Sequence, residues 1–222
     1  MLAAIAAGNR TRGGIANYLA RKSGDLAHPL TVLEDRGLIS READAFRHNR
    51  TTFHIAEPLI SFYHAVMRPI WSDLEFTRET PRLWERSKGR FDGNIMGPHF
   101  ERVCRLWTRH MAPPELFGDY PNRVESGTVH DPANRTTHEV DVVVFGLDDD
   151  GRSPVLAIGE AKWQEVMELQ HLQRLRRLRE LLVAQGRHGA ANARLVCYSG
   201  AGFAPELRDE AERHDDVVVV GL

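Results

Sequence analysis

The amino-acid sequence predicts a mixed α/β protein with two domains, and three observations support this prediction. The first 70 residues contain short apolar segments of helical period, followed by two strand-like segments. From residue 96 onward, one helical segment precedes an alternation of strand-like and helical segments. The length of 222 residues is enough for two small domains, each with its own core. We therefore predict domains at 1–70 and 96–222, joined by a connecting helix or linker at 71–95.

The N-terminal domain is predicted to contain three short helices and a β-hairpin. The apolar run "MLAAIAA" ends at Gly8, and Thr11 can cap the helix that follows. A third periodic segment runs from about Leu26 to Arg36 and ends at Gly37. The strand-like runs "GLISRE" and "TTFHIAE" come next, separated by a polar segment. Helices with tight turns form a helix-turn-helix unit, and with the hairpin this pattern resembles a winged helix.

Two interpretations of this domain stay open. The third helix carries Glu34 and Asp35, and Asp25 directly precedes it; these acidic residues oppose docking on a phosphate backbone because like charges repel. The hairpin is richer in cations, and its candidate nucleic-acid contacts are Arg41, Arg47, His48 and Arg50. The alternative is a structural module or one that docks a protein partner.

The second domain is predicted as a mixed sheet flanked by helices. The segment 71–95 before it has turn signals at Pro81, Gly89 and Gly93. A helix at "GPHFERVCRLWTRHM" follows, with Glu101 at the edge of its apolar stripe. An extended segment, the strands "HEVDVVVF" and "PVLAIGEAKW" and a helix from about Glu165 to Gln185 come next, then strand, short helix and strand. This order is typical of a mixed sheet flanked by helices. The arginines of the long helix are predicted to be mainly a solvated face, with a phosphate-binding track as the alternative: Arg174, Arg176, Arg177 and Arg179.

Three charged residues interrupt strands that otherwise have the composition of buried strands. They are Asp141, Glu160 and Lys162. Side chains alternate along a strand, so Val140 and Val142 are expected to share the face opposite Asp141. Glu160 and Lys162 likewise share a face, and Asp141 can meet them if the two strands pair. Burying unpaired charges is costly. The cluster therefore indicates either a structural ion pair or a site for Mg²⁺ or Mn²⁺, which binds carboxylate oxygens and polarises phosphates.

The pattern "EVDVVV" followed by "GEAKW" resembles the D…(D/E)xK signature of the PD-(D/E)xK, or restriction-endonuclease-like, nuclease superfamily. The resemblance implies metal-dependent cleavage of DNA with a catalytic set of Glu101, Asp141, Glu160 and Lys162. Its metal ligands would be Asp141, Glu160 and Glu101. Either Gln170 or Gln173 would match the glutamine that some subfamilies add.

The whole arrangement is similar to the C-terminal half of archaeal and bacterial DEXX-box P-loop ATPases. The winged helix, "AEPLISFYHAVMRP", "HFERVCRLW" and "SGAGF" extend this similarity over nearly all 222 residues. That family normally begins with an ATPase domain, but this sequence has no G-x-x-x-x-G-K-[ST] segment to hold nucleotide phosphates. ATP hydrolysis is therefore not expected. A rival hypothesis is a non-catalytic nucleic-acid-binding or regulatory module that serves a P-loop ATPase.

Composition and charge limit the partners and the cellular compartment that can be expected for this protein. The formal net charge of −2 gives no global signature of nucleic-acid binding, although the first 90 residues carry 14 Lys and Arg against 10 Asp and Glu. Cys104 and Cys197 lie in apolar patterns and are expected to be buried thiols in a reducing compartment. No apolar run approaches the length of a membrane span. We expect a cytoplasmic protein with DNA as its partner and no membrane contact, and a homodimer stays open.

Overall fold

A computed structural model describes residues 1–47, 49–76, 80–148 and 150–222. The candidate contact His48 lies outside this described part of the chain. The protein forms two compact units, Met1–Ala43 with His48–Pro98, and Asp44–Arg47 with His99–Leu222. The predicted fold class is confirmed, since the protein is a mixed α/β structure with a two-stranded and a five-stranded sheet. In the part of the chain that is described, no helix combines the length and apolar character needed to cross a membrane.

The first unit begins with three helices and a hairpin in the order of a winged helix. These elements are α1 (Leu2–Ala6), α2 (Arg12–Tyr18), α3 (Ala27–Asp35), β1 (Ile39–Ala43) and β2 (Thr51–Ile55). The Thr11 hydroxyl caps α2, as predicted, by accepting a hydrogen bond from the Gly14 N–H at 3.0 Å. β1 and β2 pair antiparallel. Ile15, Leu30 and Phe53 are fully buried in the core that these helices and the hairpin share.

The rest of the first unit is described as helices and helical turns. After α4 (Pro58–Phe62) come a π-helical turn (Tyr63–Met67), a 3-10 turn (Arg68–Ile70), α5 (Trp71–Phe76), α6 (Thr80–Phe91) and a second π-helical turn (Asp92–Met96).

The turns predicted at Pro81, Gly89 and Gly93 are absent, because all three residues lie within these helical segments. Pro81 is tolerated because the first turn of a helix needs no hydrogen bond from its nitrogen. Each glycine costs about 1 kcal/mol relative to alanine in a helix interior. Aromatic contacts of Phe91 with Phe62 and Trp84 help to offset that cost.

The second unit is a five-stranded sheet with helices on both faces. Its elements are α7 (Gly97–His110), β3 (Arg123–Asp131), β4 (Thr136–Phe145), β5 (Val155–Lys162), α8 (Leu169–Ala184), β6 (Arg194–Ser199), α9 (Pro205–Arg213) and β7 (Val217–Gly221). The strands stand in chain order, β3 to β5 antiparallel and β5 to β7 parallel. One core lies against α8 and α9, and the other lies against α7; we name them the α8-side core and the α7-side core.

The segment Asp44–Arg47 is part of this second unit. One carboxylate oxygen of Asp44 accepts hydrogen bonds from the main-chain N–H of Thr128 at 3.2 Å, and the other accepts from the Thr128 hydroxyl. The ring of Phe46 packs edge-on against Phe145. These contacts bury the segment in the α8-side core.

A β-bulge in β4 changes which residues share a face. Opposite Ser126 of β3, β4 has two residues, Asp141 and Val142. Strict alternation predicted Val140 and Val142 on one face of the sheet. That prediction is wrong: Val140 packs in the α8-side core and Val142 in the α7-side core. The extra residue of the bulge resets the alternation next to Asp141.

Candidate active site

Asp141 lies at the point where β4 and β5 separate. The ladder between the two strands ends at the pair Val142 and Gly159. Beyond it, Asp141 Oδ2 accepts the main-chain N–H of Ala161 at 2.8 Å, so the carboxylate takes the place of a ladder partner. The main-chain carbonyl of Asp141 accepts a hydrogen bond from Arg105 of α7 at 3.0 Å. Asp141 is therefore fixed by β5 through its side chain and by α7 through its backbone.

Glu160 is the most buried charged group of the cluster. Its side chain is 4% exposed, on a strand that has neighbours on both sides. Oε1 lies 3.1 Å from Lys162 Nζ, and Oε2 accepts a hydrogen bond from Arg174 Nη1 at 2.8 Å. Each oxygen of this carboxylate thus faces a different cation. These contacts compensate a charge that would be costly to bury alone.

The packing around Gly159 fixes β5 at the residue before Glu160. A Cβ at position 159 would lie 2.7 Å from a ring carbon of Tyr198 and 3.0 Å from the carbonyl oxygen of Val196, both on β6. The Tyr198 ring is itself held by a buried hydrogen bond of 2.7 Å between its hydroxyl and that of Thr108. Glycine allows this approach, so the glycine of "GEAKW" has a packing role.

Arg174 is a site residue that the sequence analysis did not identify. Besides contacting Glu160, its Nη2 donates a hydrogen bond to the main-chain carbonyl of Glu139 at 2.7 Å. The α8 arginines, predicted to form mainly a solvated face, are partly exposed, from 22% for Arg179 to 55% for Arg177, and each of them also contacts a carboxylate. The pairs are Arg174 with Glu160, Arg176 with Glu210, Arg177 with Asp131, and Arg179 with Asp216.

A signal for Arg174 was present in the helical period. His171, Leu175 and Leu178 are buried on α8, and position 174 belongs to the same i, i+3, i+4, i+7 stripe. A cation on a sheet-facing stripe needs an anionic partner on the sheet. Glu160 is that partner.

The charged cluster opens into a cleft of about 530 Å³. Its lining residues are Glu101, Glu139, Asp141, Glu160, Ala161, Lys162, Gln170, His171 and Arg174. All four residues of the predicted catalytic set are therefore brought to one cleft. Of the two glutamines considered from sequence, Gln170 is in the lining.

The electrostatic environment disfavours the ionised form of Asp141. Burial raises the pKa of this carboxyl above its ordinary value, and the nearby charge of Glu160 raises it further. The hydrogen bond from Ala161 and the charges of Lys162 and Arg174 act in the opposite direction, but they do not cancel the rise. A cation that bound here would stabilise the ionised carboxylate.

The carboxylate oxygens in the cleft are the kind of ligand that hard divalent cations such as Mg²⁺ prefer. Across the described residues, no group of three or more His, Cys, Asp and Glu side chains is close enough to hold a metal ion. Glu101, Asp141 and Glu160 nevertheless line the same cleft. Mg²⁺ is often bound through one or two carboxylates and completes its octahedron with waters and substrate phosphate oxygens. Two converging carboxylates are therefore compatible with such an ion.

The three candidate DNA contacts have different settings. Arg41 on β1 forms a 2.6 Å ion pair with Glu34 of α3, and its guanidinium lies 5.4 Å from the centre of the Phe53 ring. Arg47 belongs to the second unit, where its main-chain N–H donates to the Asp44 carboxylate. Arg50 directly precedes β2 in the first unit. Arg41 is thus already engaged by a carboxylate.

Comparison with known proteins gives little support for an identity. No protein family model and no curated protein sequence matches this chain. One solved structure, that of the S. aureus MepR-DNA complex, matches at 19% sequence identity over 40% of this chain and 71% of that chain, with a TM-score of 0.27. A similarity at this TM-score supports no inference. The resemblance to DEXX-box ATPases stays a prediction.

Proposed function

We propose that the second unit is a nuclease domain that hydrolyses phosphodiester bonds of DNA with Mg²⁺ or Mn²⁺. The observation that carries the proposal is the convergence of Asp141, Glu160 and Lys162 where β4 and β5 separate. The buried carboxylate of Glu160 lies near the part-buried carboxylate of Asp141, like charges this close are mutually unfavourable, and such arrangements cluster at functional sites. The resemblance of these positions to the D…(D/E)xK signature supports the same reaction.

Each residue has a role in this proposal. Asp141 and Glu160 would hold the cation, while Glu101 of α7 lines the same cleft but does not complete a group of three carboxylates close enough to bind it. A cation bound there would polarise a phosphate oxygen of the DNA and lower the pKa of a water molecule. Lys162, one-third exposed at the cleft, orients the attacking water and offsets the negative charge that develops on the phosphate. The hydrogen bond from Ala161 keeps Asp141 in position.

Two substitutions test the catalytic proposal. Asp141→Asn keeps the shape of the side chain but removes a cation-binding charge, and Lys162→Met keeps much of the stem without the ammonium. Both should reduce Mg²⁺-dependent cleavage by at least about a hundredfold. Only Asp141→Asn should also weaken Mn²⁺ binding, because Lys162 is not a cation ligand. The measurements are cleavage of linear, branched and single-stranded DNA, and Mn²⁺ titration without DNA.

Matched controls are available on exposed surfaces. Asp209→Asn on α9 and Lys88→Met on α6 make the same chemical changes outside the cleft, and both should cleave as the wild type does. A wild-type protein that binds no Mn²⁺ and cleaves none of these DNA forms would refute the proposal.

One observation favours a second candidate function, a non-catalytic nucleic-acid-binding or regulatory module. Both oxygens of Glu160 face cations of the protein itself, as they do in a structural ion-pair network. Such a module would bind DNA, or a P-loop ATPase partner, without turnover. It predicts DNA binding of equal strength in chelator and in Mg²⁺, with no cleavage in either.

A further inference from the structure

Arg174 is the cation that approaches Glu160 from outside the D…(D/E)xK pattern. It belongs to α8, and its contact with Glu160, at 2.8 Å, is shorter than that of Lys162, at 3.1 Å. Its second hydrogen bond, to the Glu139 carbonyl of β4, holds the guanidinium in the lining of the cleft. The guanidinium therefore stabilises the same carboxylate that a divalent cation would need.

The two positive groups compete for one oxygen atom. A carboxylate oxygen at hydrogen-bonding distance from a guanidinium has lone pairs engaged and its charge partly neutralised. A divalent cation at Glu160 would also be repelled by the nearby guanidinium charge. Binding of the divalent cation through Oε2 thus requires that Arg174 withdraw from this oxygen.

Arg174 can withdraw without disturbing the core. Its side chain is 37% exposed and lines the cleft, whereas the carboxylate it contacts is 4% exposed. Leu175 and Leu178 keep α8 anchored in the α8-side core whatever the position of the guanidinium. Rotation of the side chain into solvent also breaks its hydrogen bond to the Glu139 carbonyl, which is exposed, so that water can replace it.

We propose that Arg174 is the resident counter-ion of Glu160, that it is displaced when a divalent cation binds, and that it thereby sets the cation affinity of the cleft. Arg174 is a positioning residue in this scheme, because it acts through Glu160. The inference rests on the proposed function only in taking Glu160 as a cation ligand.

Mn²⁺ titration of the full-length protein without DNA tests this inference. Arg174→Gln should lower the Kd for Mn²⁺ roughly two- to fivefold, the factor expected from removing a partly exposed ion pair. Arg174→Lys keeps the charge and should stay closer to the wild-type Kd. Arg177→Gln removes the same charge from the same helix, but its partner is Asp131, so its Kd should not change. An Arg174→Gln protein with the wild-type Kd, or with a weaker one, would overturn the inference.

Thermal unfolding separates this role from a structural one. In chelator, Arg174→Gln should melt below the wild type, because the buried Glu160 loses one of its two cations. In saturating Mn²⁺ the difference should largely disappear, because the bound ion replaces the guanidinium. If Arg174 only supports the fold, the deficit persists unchanged in Mn²⁺, and the inference is wrong.

A measurement on the wild type covers the case of a variant that does not fold. In a crystal structure with Mn²⁺ bound at Glu160, the distance from Arg174 Nη1 to Glu160 Oε2 should exceed hydrogen-bonding range. Retention of the 2.8 Å contact beside the bound ion would contradict displacement.

Cleavage assays on the same proteins distinguish the two proposals. If Arg174→Gln binds Mn²⁺ more tightly but the wild type cleaves no DNA, the nuclease proposal is refuted and the counter-ion proposal is supported. If the wild type cleaves DNA but Arg174→Gln has the wild-type Kd, the counter-ion proposal is refuted and the nuclease proposal is supported.

Discussion

Replacement of Asp141 by asparagine should stabilise the protein in the absence of divalent cations. Burial and the charge of Glu160 disfavour the ionised carboxylate, while the hydrogen bond from Ala161 and the charges of Lys162 and Arg174 favour it to a smaller extent. Asparagine can accept that hydrogen bond through its own Oδ1 and carries no charge. We expect a gain of about 1 kcal/mol, in the range of typical stabilising substitutions. For a chain of this size the gain corresponds to a rise in Tm of roughly 3 °C.

The pH dependence of this gain has a defined sign. Because the pKa of Asp141 is raised in the folded protein above its ordinary value of 3.8, the unfolded chain ionises first as pH rises. The wild type therefore loses stability as pH rises from that value to the folded pKa, and the full penalty is present above it. The difference between Asp141→Asn and the wild type should be largest at neutral pH and should shrink as pH falls.

Asp131→Asn is a matched control of opposite sign. Hydrogen bonds from the Asn134 side chain and main chain, together with Arg177, lower the pKa of Asp131 to about 2. The ionised form therefore stabilises the fold at neutral pH, and that contribution is lost as pH falls from about 4 toward the folded pKa. This variant should have a lower Tm than the wild type.

Thermal unfolding of the three proteins in chelator, followed by circular dichroism at several pH values, provides the measurement. A lower Tm for Asp141→Asn at neutral pH would contradict the argument. It would show that the Asp141 charge is a structural partner of the neighbouring cations, as the ion-pair alternative requires.

Three further predictions concern other parts of the chain. Gly159→Ala should cost about 1–3 kcal/mol in urea denaturation, because the added Cβ would press on the aromatic ring packed there; an unchanged midpoint would show that β5 and β6 can separate. Burial raises the pKa of Cys104 and of Cys197 to about 12, so neither thiol should react with a disulfide reagent at mildly alkaline pH until the protein is unfolded, and rapid labelling of the native protein would exclude this burial. Alanine at Arg47 and Arg50 should weaken DNA binding and flatten its salt dependence if they contact phosphates, whereas an unchanged salt slope would favour a docking role.

Chain order and strand period were enough to predict much of the candidate site. Asp141, Glu160 and Lys162 stand out because charges interrupt runs of valine, isoleucine and alanine, and the short acidic segment between the runs favours antiparallel pairing. The two-residue period placed Glu160 and Lys162 on one face, where they now form an ion pair. Glu101 was placed with these residues only by the resemblance to D…(D/E)xK nucleases, and it lines the same cleft.

Features that depend on distant parts of the chain were not predicted. The bulge at Asp141 lies where the register between β3 and β4 shifts, between Glu125 and Gly127 of β3, and neither strand alone indicates that register. Helix continues through Gly89 and Gly93 because packing around Phe91 outweighs the local preference of glycine for turns. In both cases the deciding contact is made by a residue far away in the sequence, on β3 for the bulge and at Phe62 for the helix.

The arginines of α8 show why composition alone misjudges a charged helix. Four arginines in six residues look like one basic surface, yet each contacts a carboxylate on a different element. Three of the pairs, with Glu210, Asp131 and Asp216, connect α8 to its surroundings, and only the pair of Arg174 with Glu160 enters the cleft. The same residue type on one helix thus serves stability at three positions and the candidate site at the fourth. Arg174 differs from the other three arginines only in the carboxylate that it contacts, which is Glu160 of the cleft. The decisive test therefore compares Arg174 with Arg177, because the two share a helix and a charge but contact different carboxylates.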